Sequence, residues 1–134
     1  MLGDRVGESR GETIGRRIIE KEGGQTVMEV TDTASGTLLG VNINQTVTYE
    51  ARMHQDGHLR GEGTGIVMTA DGEGGTLSGR GVGKFTGPGA VSWRGLLLYD
   101  ISSGKLEGLN GMAVMFEYEV DAGGKSVGTF YEWK

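Results

Sequence analysis

Two stretches of this chain place glycine at every second position: GEGTGIV at 61–67 and, eighteen residues later, GRGVGKF at 79–85. Side chains alternate between the two faces of a β-strand, so each row is a strand with one bare face. Glycine-rich runs also cradle phosphates, but that mechanism needs G-x-x-x-x-G-K followed by Ser or Thr at the start of a helix. Upstream of Gly83-Lys84 the first glycine position holds Ser78, and Phe85 follows the lysine. In GGKS at 123–126 the corresponding position is Glu119. Neither stretch opens a helix, so no helix N-terminus meets an anion. The glycines are therefore read as shaping the backbone.

Around them the sequence is strand-forming. It has 27 glycines and a single proline in 134 residues, set among valine, isoleucine, threonine and aromatics, which favour strands. Only RRIIEKE offers a short helical segment, and it lacks a sustained 3.6-residue stripe. Turn signals fall at 22–24, 34–36, 55–57, 71–75, 87–89, 102–104 and 121–124, where glycine supplies positive φ and aspartate or serine tolerates the turn. They separate eight runs, near residues 10–21, 25–33, 37–54, 58–69, 76–86, 91–101, 111–120 and 125–133. The connections are too short for parallel crossovers, so neighbours pair antiparallel. Eight such strands can close and remove both exposed edges. The expected fold is all-β, an eight-stranded antiparallel up-and-down barrel. It forms one domain over 1–134, with 1–9 a flexible N-terminal segment.

Alternation assigns the faces. Leu39, Val41, Ile43, Gln45, Val47, Tyr49, Ala51 and Met53 share one parity, opposite Asn42, Asn44, Thr46, Thr48, Glu50 and Arg52, a pattern of inside and outside. Val91, Trp93, Leu97, Tyr99 and Ile101 are placed inward, as are Met112, Val114, Phe116, Tyr118 and Val120. In the last run Val127, Tyr131 and Trp133 are read as inward. Gly61, Gly63 and Gly65 share parity with Leu59 and Val67; Gly79, Gly81 and Gly83 share parity with Leu77 and Phe85. Both glycine rows thus face the interior on neighbouring strands, where missing side chains let the sheet coil. They leave a trough that Trp93 fills or that remains as a cavity.

Several function classes are set aside. A formal charge of −5 provides no basic face for nucleic acid, and Arg10, Arg16 and Arg17 read as solvated surface. There is no cysteine, which suits a reducing compartment. No apolar run approaches a membrane span of roughly 18 residues, and the N-terminus lacks a signal peptide's apolar core. A soluble cytoplasmic protein is expected, with no cofactor, and NQT at 44–46 is given no weight as a glycosylation site. His54 and His58 flank the turn that contains Asp56 and have no third His or Cys to complete a zinc set, so no metal site is assigned. No Ser-His-Asp or Cys-His grouping emerges and the catalytic residues are unknown. Glu29 shares parity with Val27 and is either an inward acid or, as buried acids are rare, a surface residue.

The phenolic side chains offer more. Tyr49, Tyr99, Tyr118 and Tyr131 fall on the inner parity with Trp93, Trp133 and Gln45. An apolar cavity with a few polar tips is how small-molecule sites look; the alternative is that these aromatics are simply core. The candidate ligand-binding set is Trp93, Tyr99, Tyr49, Tyr118, Gly63 and Gly81, for an apolar small molecule. Leu96, Leu98, Ile66, Met68, Met115 and Phe130 have the opposite parity. They form an outer apolar patch expected to make a homo-oligomer.

Within residues 58–120, SSGKLEGLNGMAVMFEYEV at 102–120 follows a tryptophan-bearing strand. It resembles a late turn of dirigent proteins, allene oxide cyclases and a related bacterial family of unknown function: small-Gly-Thr/Lys-apolar-x-x-apolar-x-Gly. Gly104, Lys105, Leu106, Leu109 and Gly111 carry the match, and GTLSGRGVGKFTG resembles the bacterial family's glycine-rich strand pair. The resemblance implies an allene-oxide-cyclase-like barrel with an apolar interior, usually oligomeric, and transfers no catalytic residue. Three functions follow: a binding barrel for an apolar or aromatic molecule, an isomerase or cyclase in the same cavity, or an oligomeric structural protein with a filled core.

Overall fold

A computed structural model describes residues 2–134. Its strands are β1 (Leu2–Glu20), β2 (Thr26–Leu38), β3 (Val41–Met53), β4 (Leu59–Thr69), β5 (Gly74–Gly87), β6 (Ala90–Ile101), β7 (Val114–Val120) and β8 (Lys125–Trp133). Each pairs antiparallel with its chain neighbour, and β8 returns to β1, so the sheet closes as a barrel. The expected fold class is the one observed.

Both glycine rows face inward and lie side by side. Gly61 pairs with Gly81, Gly63 with Gly79, and Gly81 in turn with Gly95. A second wall of small residues lies across the barrel on β8, β1 and β2, where Gly7, Ser9, Gly11, Ala34, Gly36 and Gly128 share the inner face. A Cβ on Gly36 would run into the Glu8 carbonyl oxygen of the paired strand, so the chain coils there too tightly for a side chain. Most of the buried aromatic side chains come from β3, β6 and β7, between these two thin walls, with Phe130 from β8.

The structure moves several boundaries. Residues 2–9, read from sequence as a flexible segment, belong to β1 and pair with β8. Ala34-Ser35-Gly36, read as a turn, lies within β2; the chain reverses instead at Leu39 and Gly40, both at positive φ (51° and 75°). Small residues in that stretch serve the inner wall, and a leucine accepts the left-handed position because the two-residue turn demands it. In β8 the inward parity is the opposite of the expected one. Phe130 is 4% exposed and Trp133 is 55% exposed, and Ser126, Gly128 and Phe130 pair with inward residues of β7. SVGTFYEW carries apolar residues on both parities, so alternation alone did not orient it.

The core is divided. At one end Leu38, Ile43, Val67, Tyr99, Val114 and Phe130 surround Leu106 and Leu109. Leu106 caps and Leu109 ends a 3₁₀ turn, Glu107–Leu109, between β6 and β7, and the two are 1% and 0% exposed. This loop plugs the barrel. Asn110 secures it, its side-chain amide donating to the Ile101 carbonyl (2.9 Å) and accepting from the Ile101 N–H (2.7 Å). At the other end Trp93, Leu59 and Val120 form a second cluster with Tyr49, Tyr118 and Phe116.

Candidate functional site

Between the two clusters lies a cavity of about 100 Å³. Trp93 fills part of the glycine trough but not all of it. Its six-membered ring lies where a Cβ on Gly61 or Gly83 would stand, 2.8–3.1 Å away. Phe116 covers Gly81 and Gly95 from β7, and Leu97 covers Gly79. The remaining space is walled by Tyr49, Val47, Leu77, Phe116, Tyr118 and Phe130, and on one side by bare backbone at Gly61, Gly63, Gly79 and Gly81. Tyr49 stands edge-on to two neighbours: its centroid is 5.6 Å from Trp93 at 77°, and 6.4 Å from Tyr118 at 90°.

Of the six residues singled out in the sequence, Trp93, Tyr49, Tyr118, Gly63 and Gly81 line this cavity. Tyr99 does not. It belongs to the plugged end, where its hydroxyl donates to Gln45 Oε1 at 2.9 Å; Gln45 reaches the cavity in its place. Tyr131 and Trp133, placed inward by parity, face away with the rest of their parity on β8. Glu29 is on the outer face opposite Glu50 and forms an ion pair with Arg17 at 3.3 Å. Leu98, Ile66 and Met68 are exposed on the outside, but Phe130, expected with them, is core. His54 and His58 flank the β3–β4 turn with their rings stacked 4.6 Å apart. Asp56 bonds both the backbone N–H and the ring of His58, which holds its carboxyl below the usual carboxylate range.

The polar member that sequence reasoning missed is Asp32. It lies on β2 between Val30 and Ala34 on the inner face, opposite Val47, and is 6% exposed. The Ser126 hydroxyl donates to both of its oxygens, at 2.9 and 3.2 Å. Burial pushes its carboxyl from 3.8 up to about 6; the Ser126 hydrogen bond and Tyr118 oppose the rise, and Glu12 adds to it. Among the described residues no basic side chain acts on it. Tyr118 stands beside it and interacts with Asp32 and Ser126, yet among the described residues its buried hydroxyl makes no hydrogen bond of good geometry. Burial raises the Tyr118 phenol, with Tyr49 and the Asp32 charge contributing. Tyr49 is pushed up to about 12, first by burial and then by Asp32, with Arg16 opposing. The cavity is therefore lined by one inward carboxylate and two neutral phenols, Tyr49 and Tyr118. The signal for Asp32 was its parity with Val30, Ala34 and Leu38, obscured because Val27 breaks the alternation in that strand.

A stability prediction follows from Asp32. Its folded pKa lies above the unfolded one, so between about pH 4 and 6 the native state keeps a proton that the unfolded chain has lost. Stability then falls as pH rises through that window, and above it the full penalty applies. At roughly 1.4 kcal/mol per pKa unit the ceiling is about 3 kcal/mol. Asp32→Asn, which keeps an acceptor for Ser126, is expected to be about 1–3 kcal/mol more stable than wild type near neutral pH. The difference should vanish in acid. Urea unfolding across this range checks it, and a variant less stable than wild type at neutral pH would contradict the assignment.

No family model matches the chain, and no curated protein matches it in sequence. Solved structures match it closely in shape. A protein of unknown function from Clostridium acetobutylicum superimposes with a TM-score of 0.80 at 11% identity, covering 96% of each chain. A conserved protein of unknown function from Rhodopseudomonas palustris gives 0.79 at 9% identity, over 98% of this chain and 97% of that one. These likenesses establish the fold. Among the described residues no helix is long and apolar enough to cross a membrane.

Proposed function

We propose that the protein binds a small, largely apolar molecule inside the barrel. The observation that carries this reading is the cavity of about 100 Å³ left between Trp93, Tyr49, Tyr118 and Phe116 after the glycine trough is partly filled. Size limits the ligand. An engineered apolar cavity of about 150 Å³ holds benzene, so this one suits a branched fragment or a ring no larger than that. Such a volume gives a long apolar substrate no room to fold, which favours binding over cyclisation.

The barrel is also proposed to be of the allene-oxide-cyclase-like type. In support, Leu106 and Leu109 of the resembling loop are the plug, with Gly104 and Gly111 at positive φ (97° and 77°) where the chain enters and leaves it.

A second reading is favoured by one feature. Asp32, with a carboxyl near 6 in a mostly apolar cavity, has the proton affinity of a general base working close to neutral pH. On that reading the barrel isomerises a small carbon acid held against Tyr49 and Trp93.

The binding reading is tested by titrating isopropanol into methyl-labelled protein. Saturable shifts are expected at Val47, Leu77 and Leu97. A dissociation constant in the millimolar range or just below is expected, as a few atoms contribute roughly 1 kcal/mol each. Shifts that never saturate, or that scatter over the outer face, would remove the reading.

A further inference from the structure

The cavity that the binding reading uses is electrically lopsided. Asp32 brings a carboxylate into an apolar space, and among the described residues no lysine, arginine or histidine acts on it. A carboxylate offers about four lone-pair sites; the Ser126 hydroxyl reaches both oxygens at 2.9 and 3.2 Å and Tyr118 adds a weaker contact. The Tyr118 hydroxyl is buried beside it, facing Asp32 and Ser126 but without a well-formed hydrogen bond among the described residues, so it is left under-satisfied. Across the space stand Tyr49 and Trp93, edge to face, with Tyr49 also perpendicular to Tyr118. Aromatic walls with a carboxylate among them make a site for positive charge, through the ring quadrupoles and direct Coulomb attraction.

We propose that the ligand of this cavity is a small alkylammonium ion, which donates its N–H groups to the Asp32 carboxylate and the Tyr118 hydroxyl and lays its carbon skeleton against Trp93, Tyr49 and Phe116. The proposal rests on the interior being a binding site. It adds that the occupant is a cation, which supplies the counter-charge that the fold leaves out. An uncompensated buried charge is unfavourable, and pairing it relieves that cost.

The charged and titratable groups around Asp32 keep this pH-dependent. From β1, Glu12 acts on it but is held outward by Lys125 at 3.0 Å. From the same strand Arg16 acts on Tyr49. From β3 and β7 come Tyr49 and Tyr118, both neutral well above physiological pH; from β8 comes Ser126. From β4 and β5 Glu62 and Arg80 reach the edge of the cavity and pair with each other at 3.2 Å, and Asp32 is the carboxylate on its inner face.

The experiment compares isopropylammonium with isopropanol, its neutral counterpart of the same shape, by NMR titration. Near about pH 7.5 the ammonium should bind at least about tenfold more tightly than the alcohol, the ratio that one charge-assisted contact gives. Lowering the pH to about 4.5 protonates Asp32 and should weaken ammonium binding about tenfold or more, with little effect on the alcohol. Asp32→Asn should abolish the preference for the ammonium over the alcohol, and Tyr118→Phe should reduce it. If the alcohol saturates the cavity but the ammonium binds no better, or the preference survives Asp32→Asn, the cation assignment is overturned and the binding reading stands. If neither probe binds the wild-type barrel, both are overturned.

Discussion

Gly81→Val should unfold this barrel or remove about 3 kcal/mol or more of its stability, at the upper end of overpacking effects. A Cβ at this position would come within 2.8 Å of the Arg94 carbonyl oxygen and 3.0 Å of Phe116 Cζ, before the two valine methyls are added. Backbone on β6 cannot yield locally. Gly95, the residue opposite, is glycine for the same reason: its own Cβ would be 2.7 Å from Gly81 Cα and from Phe116 Cε2. The strands therefore meet closely beneath the Phe116 ring, and any side chain there pushes β5 and β6 apart. Gly15→Val is the control. A Cβ on Gly15 meets nothing within 4 Å, so this change should stay within about 0.5 kcal/mol of wild type. Denaturant unfolding of both variants checks the pair. Equal stabilities would mean that the glycine rows do not shape the barrel.

Trp93→Ala should cost about 3–5 kcal/mol, as for other large aromatic truncations in cores. Trp93 is 4% exposed and stands over both Gly61 and Gly83, so neither neighbour has a side chain with which to close the gap. For a domain of this size the loss lowers the melting temperature by roughly 10–20 °C. The space vacated joins the existing cavity, so the variant should gain a binding site for indole, which wild type has no room to admit. Added indole should raise the variant's melting temperature and leave that of wild type unchanged. A variant that melts like wild type would place Trp93 outside the core, and one not rescued by indole would mean that the barrel collapses around the gap.

Much of the architecture was legible in the residues. Alternation through VNINQTVTYEAR placed Gln45, Val47 and Tyr49 on the inner face because one parity is apolar and the other polar. The glycine rows were as plain, because a residue without a side chain on an inner parity leaves space whatever lies opposite. The last strand was not legible: Val127 and Phe130 have opposite parities, and the choice between them is made by hydrogen-bonded register with β7. The same holds for the second wall. Gly36 resembled a turn residue because glycine serves both turns and close strand contacts, and local sequence does not distinguish them.

Asp32 shows where sequence reasoning ended on the site. A lone aspartate in TVMEVTDTASGTL reads as an outward polar residue, since aspartate is seldom buried. Its seat in the cavity depends on Ser126, 94 residues away, reaching it from β8. The outer patch was partly legible as well, since Leu98, Ile66 and Met68 are exposed while Phe130 is not.

The sequence by itself determined that the chain forms strands joined by tight turns, that these close into a barrel, and that two glycine rows thin its wall. Each is a local or periodic property, carried by side-chain size and polarity at a spacing of two residues. The tertiary structure alone decided how far Trp93 fills the trough, which parity of β8 turns inward, and that a carboxylate enters the space that remains. Those outcomes depend on which strand meets which, and at what register, so the physical facts that decide them lie between residues far apart in the chain.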